Sequence, residues 1–597
     1  MKQLVEKIRS PIPVVDDSDR PQDEEKKAVA DNEQPATADQ PNACPSYDSD
    51  SIDEDAQHGV QAAQATAKVW SKRDLFIAYV LIWIIAFVDS MQSGMSNGLM
   101  PYVTSSFQLH SLTAAVSIMS SLIGGIWKLP LAKILDIWGR PQGFFLMVGS
   151  LVIGLIMMAG CNSVETYAAA QVFYWIGYNG MTSAISIFIA DTSALKNRAF
   201  MFAYASSPYI ATVWIGGPLA TRFLKSAGGW RWGYGTFAIV TPVITVPLGL
   251  LFYLNYRKAR QMGVMPVRQS GRTPLQSLKY YFIQFDVPGL VLISAGLALF
   301  LLSFSLYSYQ EQGWKSPLII CFIIFGGLLL IAFALYEKYV APVTFIPYEL
   351  LMDRTVLGAC VLSAVLFVSF YIWDSYFPSF LQVVNNLSIT HSSYIVNIYS
   401  IGSCFWSLIV GVLVRVTGRF KWIALYFGVP LTILGVGLMI KFRQPDVNIG
   451  YIIMCQIFIA FAGGACVITE QMAAMAAAKH SHVAVVLAVE GMFANIGGSI
   501  GSTIAAAIWT GVFPKKLAEY LPEDVLPNLP SIYAELPVQL SYPRGSPARQ
   551  AIERAYGDAQ RDMLIAATAV LAIGVVATAV WRDIKVKDFK QVKGNVI

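Results

Sequence analysis

The chain has 597 residues, of which 55% are hydrophobic and 14% charged, and its mean hydropathy is positive. That is too apolar for a soluble multidomain protein of this length, and it marks a polytopic membrane protein. The formal charge of +5 is small, and the basic residues sit in short loops between apolar runs, so a nucleic-acid role has no support.

Residues 1–70 are rich in Pro, Ala, Asp and Glu and poor in large apolar residues, which predicts a disordered acidic cytoplasmic tail. It has no apolar stretch suited to a cleavable signal, so the first span is expected to insert uncleaved. Ser49 and Ser51 lie among acids and could be phosphorylated, although a merely solvating tail is the simpler reading.

From Leu75 onward, apolar runs long enough to cross a bilayer recur with short breaks. We read fourteen: 75–100, 112–133, 142–161, 166–190, 200–223, 233–255, 286–307, 317–336, 355–380, 391–414, 422–441, 449–470, 483–510 and 563–581. Placing the amino terminus inside puts Arg257, Lys258, Arg260, Arg268 and Arg272 in a cytoplasmic loop and leaves few basic residues outside. Both termini are then cytoplasmic, with 582–597 a short tail. Asn386-Leu-Ser388 matches a glycosylation acceptor in an outer loop. The seven cysteines show no C-x-x-C or other metal spacing, so packing is their default role and neither a resident metal nor an enzyme activity is indicated.

The chain repeats itself. Trp127 stands to Gly139-Arg140 as Trp406 stands to Gly418-Arg419, while Asp89-Ser90 recurs as Asp374-Ser375 and Gln171-Val172-Phe173 as Gln456-Ile457-Phe458, the last two pairs displaced by the same interval. Spans 1, 2 and 4 thereby match spans 9, 10 and 12. This predicts two parallel six-helix halves, 75–255 and 355–581, with spans 7 and 8 inserted in 256–353. The stretch from Ala132 to Arg140 resembles the signature loop of the major facilitator superfamily. It departs from that pattern at Ala132 and Ile137, and the second copy carries Gly411 but has Arg415 in place of the acid. The resemblance implies an all-α major-facilitator fold and a charge-paired inner gate drawn from Asp136, Arg140, Arg415 and Arg419; a solvated loop obeying the positive-inside bias is the alternative.

Asp89 falls near mid-membrane, where a charge must be hydrated, paired or protonated, which suits proton coupling. Asp374, its repeat partner, fits that role and a packing role equally, flanked by Tyr371, Trp373 and Tyr376. Glu490 lies deep enough on span 13 for a proton relay. Glu470 is near enough to the end of span 12 to snorkel, and Lys128 lies deep on span 2 but well below Asp89. Rings and hydroxyls at Tyr174, Tyr178, Tyr204 and Trp214, with the amide of Asn179, suit a large, weakly polar ligand, though helix packing also uses such residues. Gly216-Gly217-Pro218 on span 5 matches only part of a drug-antiporter signature, since Ala220 and Thr221 follow and span 4 has no Arg. The glycine run Gly497, Gly498 and Gly501 reads as close helix packing. The outer loop 511–562 is long enough to be functional, and Ile552 and Tyr556 share one face of a short helix there: a lid or a passive surface helix.

Gly59-Val-Gln-Ala-Ala63, Trp70-Ser-Lys72, Phe87-Val-Asp89-Ser-Met-Gln92, Trp230-Arg-Trp-Gly-Tyr234 and Ala555-Tyr556 together resemble fungal siderophore-iron transporters, in particular those for triacetylfusarinine-type chelates, over most of the chain. The resemblance implies proton-coupled uptake of ferric hydroxamate siderophores at the plasma membrane by alternating access. It also implies substrate-sensitive residues in the long outer loop, Tyr556 being the candidate. The iron arrives caged by its chelator, so no cofactor is expected; the partners are the siderophore, protons and the lipid bilayer, with no nucleic acid and a monomeric chain. A proton-coupled drug or glutathione exporter is the alternative on the same fold, and a nutrient receptor would need a signalling domain that the short carboxyl tail does not supply, which leaves the acidic amino-terminal tail open for such a role.

Overall fold

A computed structural model describes residues 57–106, 122–265, 273–307, 310, 312–343 and 348–587. Most of the acidic tail with Ser49 and Ser51, the first part of span 2, Arg268, Arg272 and the last ten residues lie outside them. The described residues form helices and no strands. A helix bonds all its interior backbone groups within itself, which is what a chain surrounded by lipid requires.

The first half comprises α2 (Lys72–Ser106), α3 (Lys128–Ile137), α4 (Arg140–Gly160), α5 (Val164–Thr192), the broken pair α6 (Leu195–Ser206) and α7 (Tyr209–Lys225), and α8 (Gly229–Gln261); α1 (His58–Ala67) precedes it. An amphipathic helix, α9 (Pro274–Gln284), leads to the inserted pair α10 (Val287–Leu306) and α11 (Pro317–Tyr339). The second half holds α12 (Arg354–Asp374) and its continuation α13 (Phe377–Val383), α14 (Ile389–Thr417), α15 (Val429–Phe442), α16 (Ile449–Ala477), α17 (Val483–Tyr520) and α18 (Pro547–Ala579). Eleven helices among the described residues are long and apolar enough to cross a membrane. The other three spans read from sequence are present as α3, α5 and the α6–α7 pair. The first is described only in part, and the other two carry polar residues along the interior of the half.

The repeat is visible as matched contacts. Gln171 of α5 donates to the sulfur of Met158 in α4 at 3.1 Å, and Gln456 of α16 approaches the sulfur of Met439 in α15 at 3.9 Å. Helix α17 lies tightly on α12, as its glycines predicted: a Cβ at Gly497 would sit 2.2 Å from the Ala364 carbonyl oxygen, and one at Gly501 2.5 Å from that of Val368. The inserted pair is fastened to the second half by Thr503 of α17, which donates to the Phe304 carbonyl at 3.0 Å.

Two sequence expectations need correction. The expectation of disorder over the whole of residues 1–70 does not hold for its last part, where α1 and Trp70 are packed. Val60, Ala62, Ala65 and Trp70 are buried, Gly59 lets α1 approach the Leu135 and Asp136 carbonyls where a Cβ would be 2.6 Å from both, and Trp70 meets Phe188 edge-on at 5.4 Å. Residues 58–67 are a short alanine-rich helix whose composition differs from the acidic stretch before it. The outer loop is also shorter than 511–562. Helix α17 continues to Tyr520, and α18 begins at Pro547, where Ser546 accepts a hydrogen bond from the Arg549 amide and proline occupies the first turn. Between them lie two short helices, Leu529–Ala534 and Leu536–Ser541.

Candidate translocation site

The first half contributes a wall of hydroxyls around an acid. Asp89 of α2 is half-buried, with no ion pair among the described residues, and lies within electrostatic reach of Tyr174, Tyr178 and Tyr209. The hydroxyls of Tyr178 and Tyr209 are 2.7 Å apart, and Tyr174 donates to Gln92 at 3.2 Å. Ser90 donates to Thr212 at 2.8 Å, which fixes α2 against α7 beside the acid. The two helices can meet here because Gly216 faces Gly94, where a Cβ would be 2.9 Å from the backbone; the Gly-Gly-Pro stretch thus has a packing role. Asn179 spends its amide on the Trp175 carbonyl within α5, and Tyr204 reaches the Tyr79 carbonyl at 3.4 Å. Trp214 is exposed but touches the opposite half, its ring 4.9 Å from Tyr394 of α14.

In the second half, the break between α12 and α13 falls at Asp374. A carbonyl freed by that break, on Trp373, accepts from the fully buried Arg443 at 2.7 Å. Arg443 also donates to Gln560 at 2.8 Å and lies 3.9 Å from the centre of the Phe377 ring, a cation–π contact. Asp374 faces this guanidinium without an ion pair inside 4.0 Å. Trp373 is buried, Tyr371 is partly exposed, and Tyr376 stacks on Trp509 at 4.3 Å. Below the break, Phe367, Ser369, Phe370, Trp373, Tyr399 and Thr432 help to line a cavity of about 210 Å³, mostly apolar with hydroxyls on its wall.

Glu470 does not snorkel. Helix α16 runs on to Ala477, about two turns beyond it, and the side chain is buried beside Glu490. Ser363 of α12 donates to Glu490 at 2.8 Å.

The charge cluster at the end of the bundle that carries Asp136 and Arg140 differs in membership from the expected gate. Arg140 pairs with Asp136 at 2.9 Å and with Asp191, at the end of α5, at 2.8 Å; Asp191 also meets His480, from the turn between α16 and α17, at 3.3 Å. The cluster therefore crosses between the halves through Asp191 and His480, which sequence reasoning missed; Asp191 at the end of a span was the available signal. Arg419 is not part of it. Gly418 ends α14 in a left-handed turn (φ 73°), and Arg419 pairs with Asp583 of the carboxyl tail at 3.0 Å, while Arg415 is exposed and has no ion pair among the described residues. The second copy of the loop thus binds the chain's own tail.

Tyr556 is likewise not at an open cavity mouth. It is buried, its hydroxyl donating to Gln539 at 2.8 Å and its ring edge-on to Trp509 and Phe513. Buried Arg549 donates to the carbonyls of Gln539 at 2.7 Å and Val383 at 2.6 Å, tying this cap of short helices to α13. The helical face that Ile552 and Tyr556 share is the face packed inward, because α18 already runs beside α17 there.

Two bundles of membrane-spanning helices related by an internal repeat, with facing polar and aromatic walls and a charge cluster bridging one end, define a facilitator-type transporter. Residues 82–340 match the family model of the Major Facilitator Superfamily, and the fold matches the crystal structure of the human organic anion transporter MFSD10 (TETRAN) with a TM-score of 0.50 at 12% identity, covering 83% of this chain and 98% of that one. The chain is 72% identical to MFS siderochrome iron transporter 1 of Ajellomyces capsulatus, over 92% of this chain and 93% of that protein. It is 47% identical to siderochrome iron transporter 2 of Aspergillus fumigatus, over 91% and 89%, and 43% identical to siderophore iron transporter mirB of Emericella nidulans, over 90% and 89%. The chain belongs to the fungal siderochrome iron transporter family of the major facilitator superfamily.

Proposed function

We propose that this protein imports ferric hydroxamate siderophores of the triacetylfusarinine C type, together with protons, across the plasma membrane by alternating access. The observation that carries this reading is similarity along nearly the whole chain to relatives named for siderochrome or siderophore iron transport. The site is compatible with such a cargo. The rings and hydroxyls of Tyr174, Tyr178, Tyr204, Trp214, Tyr371, Trp373 and Tyr376 offer apolar faces and hydrogen bonds to a bulky, weakly polar chelate, and Tyr556 holds the cap above them. Among the described residues no group of three or more His, Cys, Asp or Glu could hold a metal ion, and iron enters this reading as caged substrate with no resident cofactor.

Asp89, Asp374, Glu490 and Glu470 are the groups assigned to proton binding. Asp136 and Arg140, with Asp191 and His480, form the inner gate. Both termini are cytoplasmic in this reading, and the chain works as a monomer. The test is uptake of radiolabelled ferric siderophores, one chelate at a time, into transport-deficient yeast with and without a protonophore. Protonophore-sensitive accumulation of a hydroxamate chelate is expected; outward flux of a drug or glutathione with no chelate uptake would replace this reading with an exporter.

A further inference from the structure

Helices α3 and α17 belong to different halves and meet in antiparallel register. A Cβ at Gly125 would lie 2.3 Å from the Asn495 amide nitrogen, and one turn along, a Cβ at Gly491 would lie 3.5 Å from Nζ of Lys128. Lys128 thus projects across the seam beside Glu490. It has no ion pair within 4.0 Å among the described residues, yet Glu490 is its electrostatic neighbour. Behind Glu490 sits Glu470, with one carboxyl oxygen buried and without a hydrogen-bond partner.

The surroundings of this carboxyl pair come from four elements. Cys360 and Ser363 face it from α12, Cys466 from α16, Tyr399 from α14, and Lys128 from α3. Among the described residues facing the carboxyl pair, Lys128 is the cation. Two carboxyl groups this close resist simultaneous ionisation unless a positive charge approaches, and an ammonium among membrane helices is costly without a counter-ion. With one proton shared by the pair, lysine and carboxylate charges balance. When that proton leaves, the added negative charge draws Lys128 towards Glu490, and α3 is drawn against α17.

We propose that Lys128 is the cross-half counter-charge that links proton occupancy of the Glu470–Glu490 pair to closure of the α3–α17 seam, which makes it a positioning residue for transport. This rests on the proton-coupled reading above.

The test uses the full chain in transport-deficient yeast, with radiolabelled ferric triacetylfusarinine C as probe and surface expression matched. Net accumulation across external pH is compared with exchange against internal unlabelled chelate. In Lys128→Met and in Glu490→Gln, the ratio of exchange to net accumulation is expected to rise about tenfold, a usual size for coupling between sites, and the pH profile to flatten. Lys128→Arg is expected to restore the profile, and the double variant to be no worse than either single one. A pH-dependent wild type with an unaltered Lys128→Met profile, or losses that multiply in the double variant, would overturn the Lys128 link alone. Wild-type uptake indifferent to both a protonophore and external pH would instead overturn the proton-coupled reading beneath it. Lys128→Gln supplies the same comparison if the methionine variant fails to reach the surface.

Discussion

The Tyr556 hydroxyl donates to the side-chain oxygen of Gln539 at 2.8 Å, while the Gln539 amide donates to the Ile532 carbonyl at 2.6 Å. This small polar closure ties the short helices of the cap to α18. Removing the hydroxyl strands a buried acceptor, at about 1–3 kcal/mol; removing the ring also leaves a cavity beside Trp509 and Phe513, at about 3–5 kcal/mol. Tyr556→Phe and Gln539→Leu are therefore expected to lower the melting temperature of the detergent-solubilised protein modestly, and Tyr556→Ala strongly, with uptake falling in the same order. Loss of uptake in Tyr556→Ala at unchanged melting temperature would point back to direct contact with the chelate.

Asp191 joins Arg140 of its own half to His480 of the other. Breaking a buried, hydrogen-bonded charge pair costs about 3–5 kcal/mol, and here the loss falls on whichever conformation holds the cluster together. Asp191→Asn and His480→Ala are expected to shift the population towards a state open at the end of the bundle that holds the cluster, and to reduce turnover more than substrate affinity. Spin-label distances between the carboxyl-terminal ends of α5 and α16 measure the shift; an unchanged distance distribution in both variants would remove the cluster from gating.

Helix α1 rests on the turn that carries Asp136, with Gly59 at the contact. Any side chain at that position must push α1 away, and Trp70→Ala removes its main anchor, at about 3 kcal/mol or more. Both Gly59→Val and Trp70→Ala are expected to speed proteolytic cleavage between residues 58 and 71 in the solubilised protein. Wild-type cleavage rates would mean that α1 does not depend on this docking.

Asp89 sits among tyrosine hydroxyls with no cation in ion-pair range among the described residues. Asparagine preserves its shape and hydrogen bonding but cannot exchange a proton. Asp89→Asn is expected to abolish accumulation against a gradient at normal surface expression. Concentrative uptake with the wild-type pH dependence would end the proton-coupling assignment for this residue.

What the sequence disclosed depended on whether the physics was local or shared between copies. The Gln171 and Gln456 repeat was readable because both halves solve the same packing problem, each glutamine meeting a methionine sulfur on the neighbouring helix. Gly497 and Gly501 were readable because only small residues allow the approach of α12. The meeting of Asp191 with His480 was not, since it joins distant segments that no periodicity relates. Depth along a helix was also hard to read: Glu470 looked terminal because the Glu470-Gln471 pair interrupts an apolar run that then resumes to Ala477, and Tyr556 looked free because α18 extends beyond its apolar part.

Helix α10 is bonded to α17 through Thr503 and Phe304, whereas Phe285, just before α10, packs its ring 5.5 Å from Trp138 at the end of α3. The connection between the halves is therefore anchored on both bodies within a short length of chain, and α9, which lies between α8 and Phe285, has no buried residue. A rocking movement that separates α3 from α17 must be taken up around residues 285–304 or by release of the Trp138–Phe285 contact. A fluorophore on the exposed face of α9 would sense that release in its own local environment, giving an optical signal of the transport cycle without touching the cavity, the cap or the charge cluster.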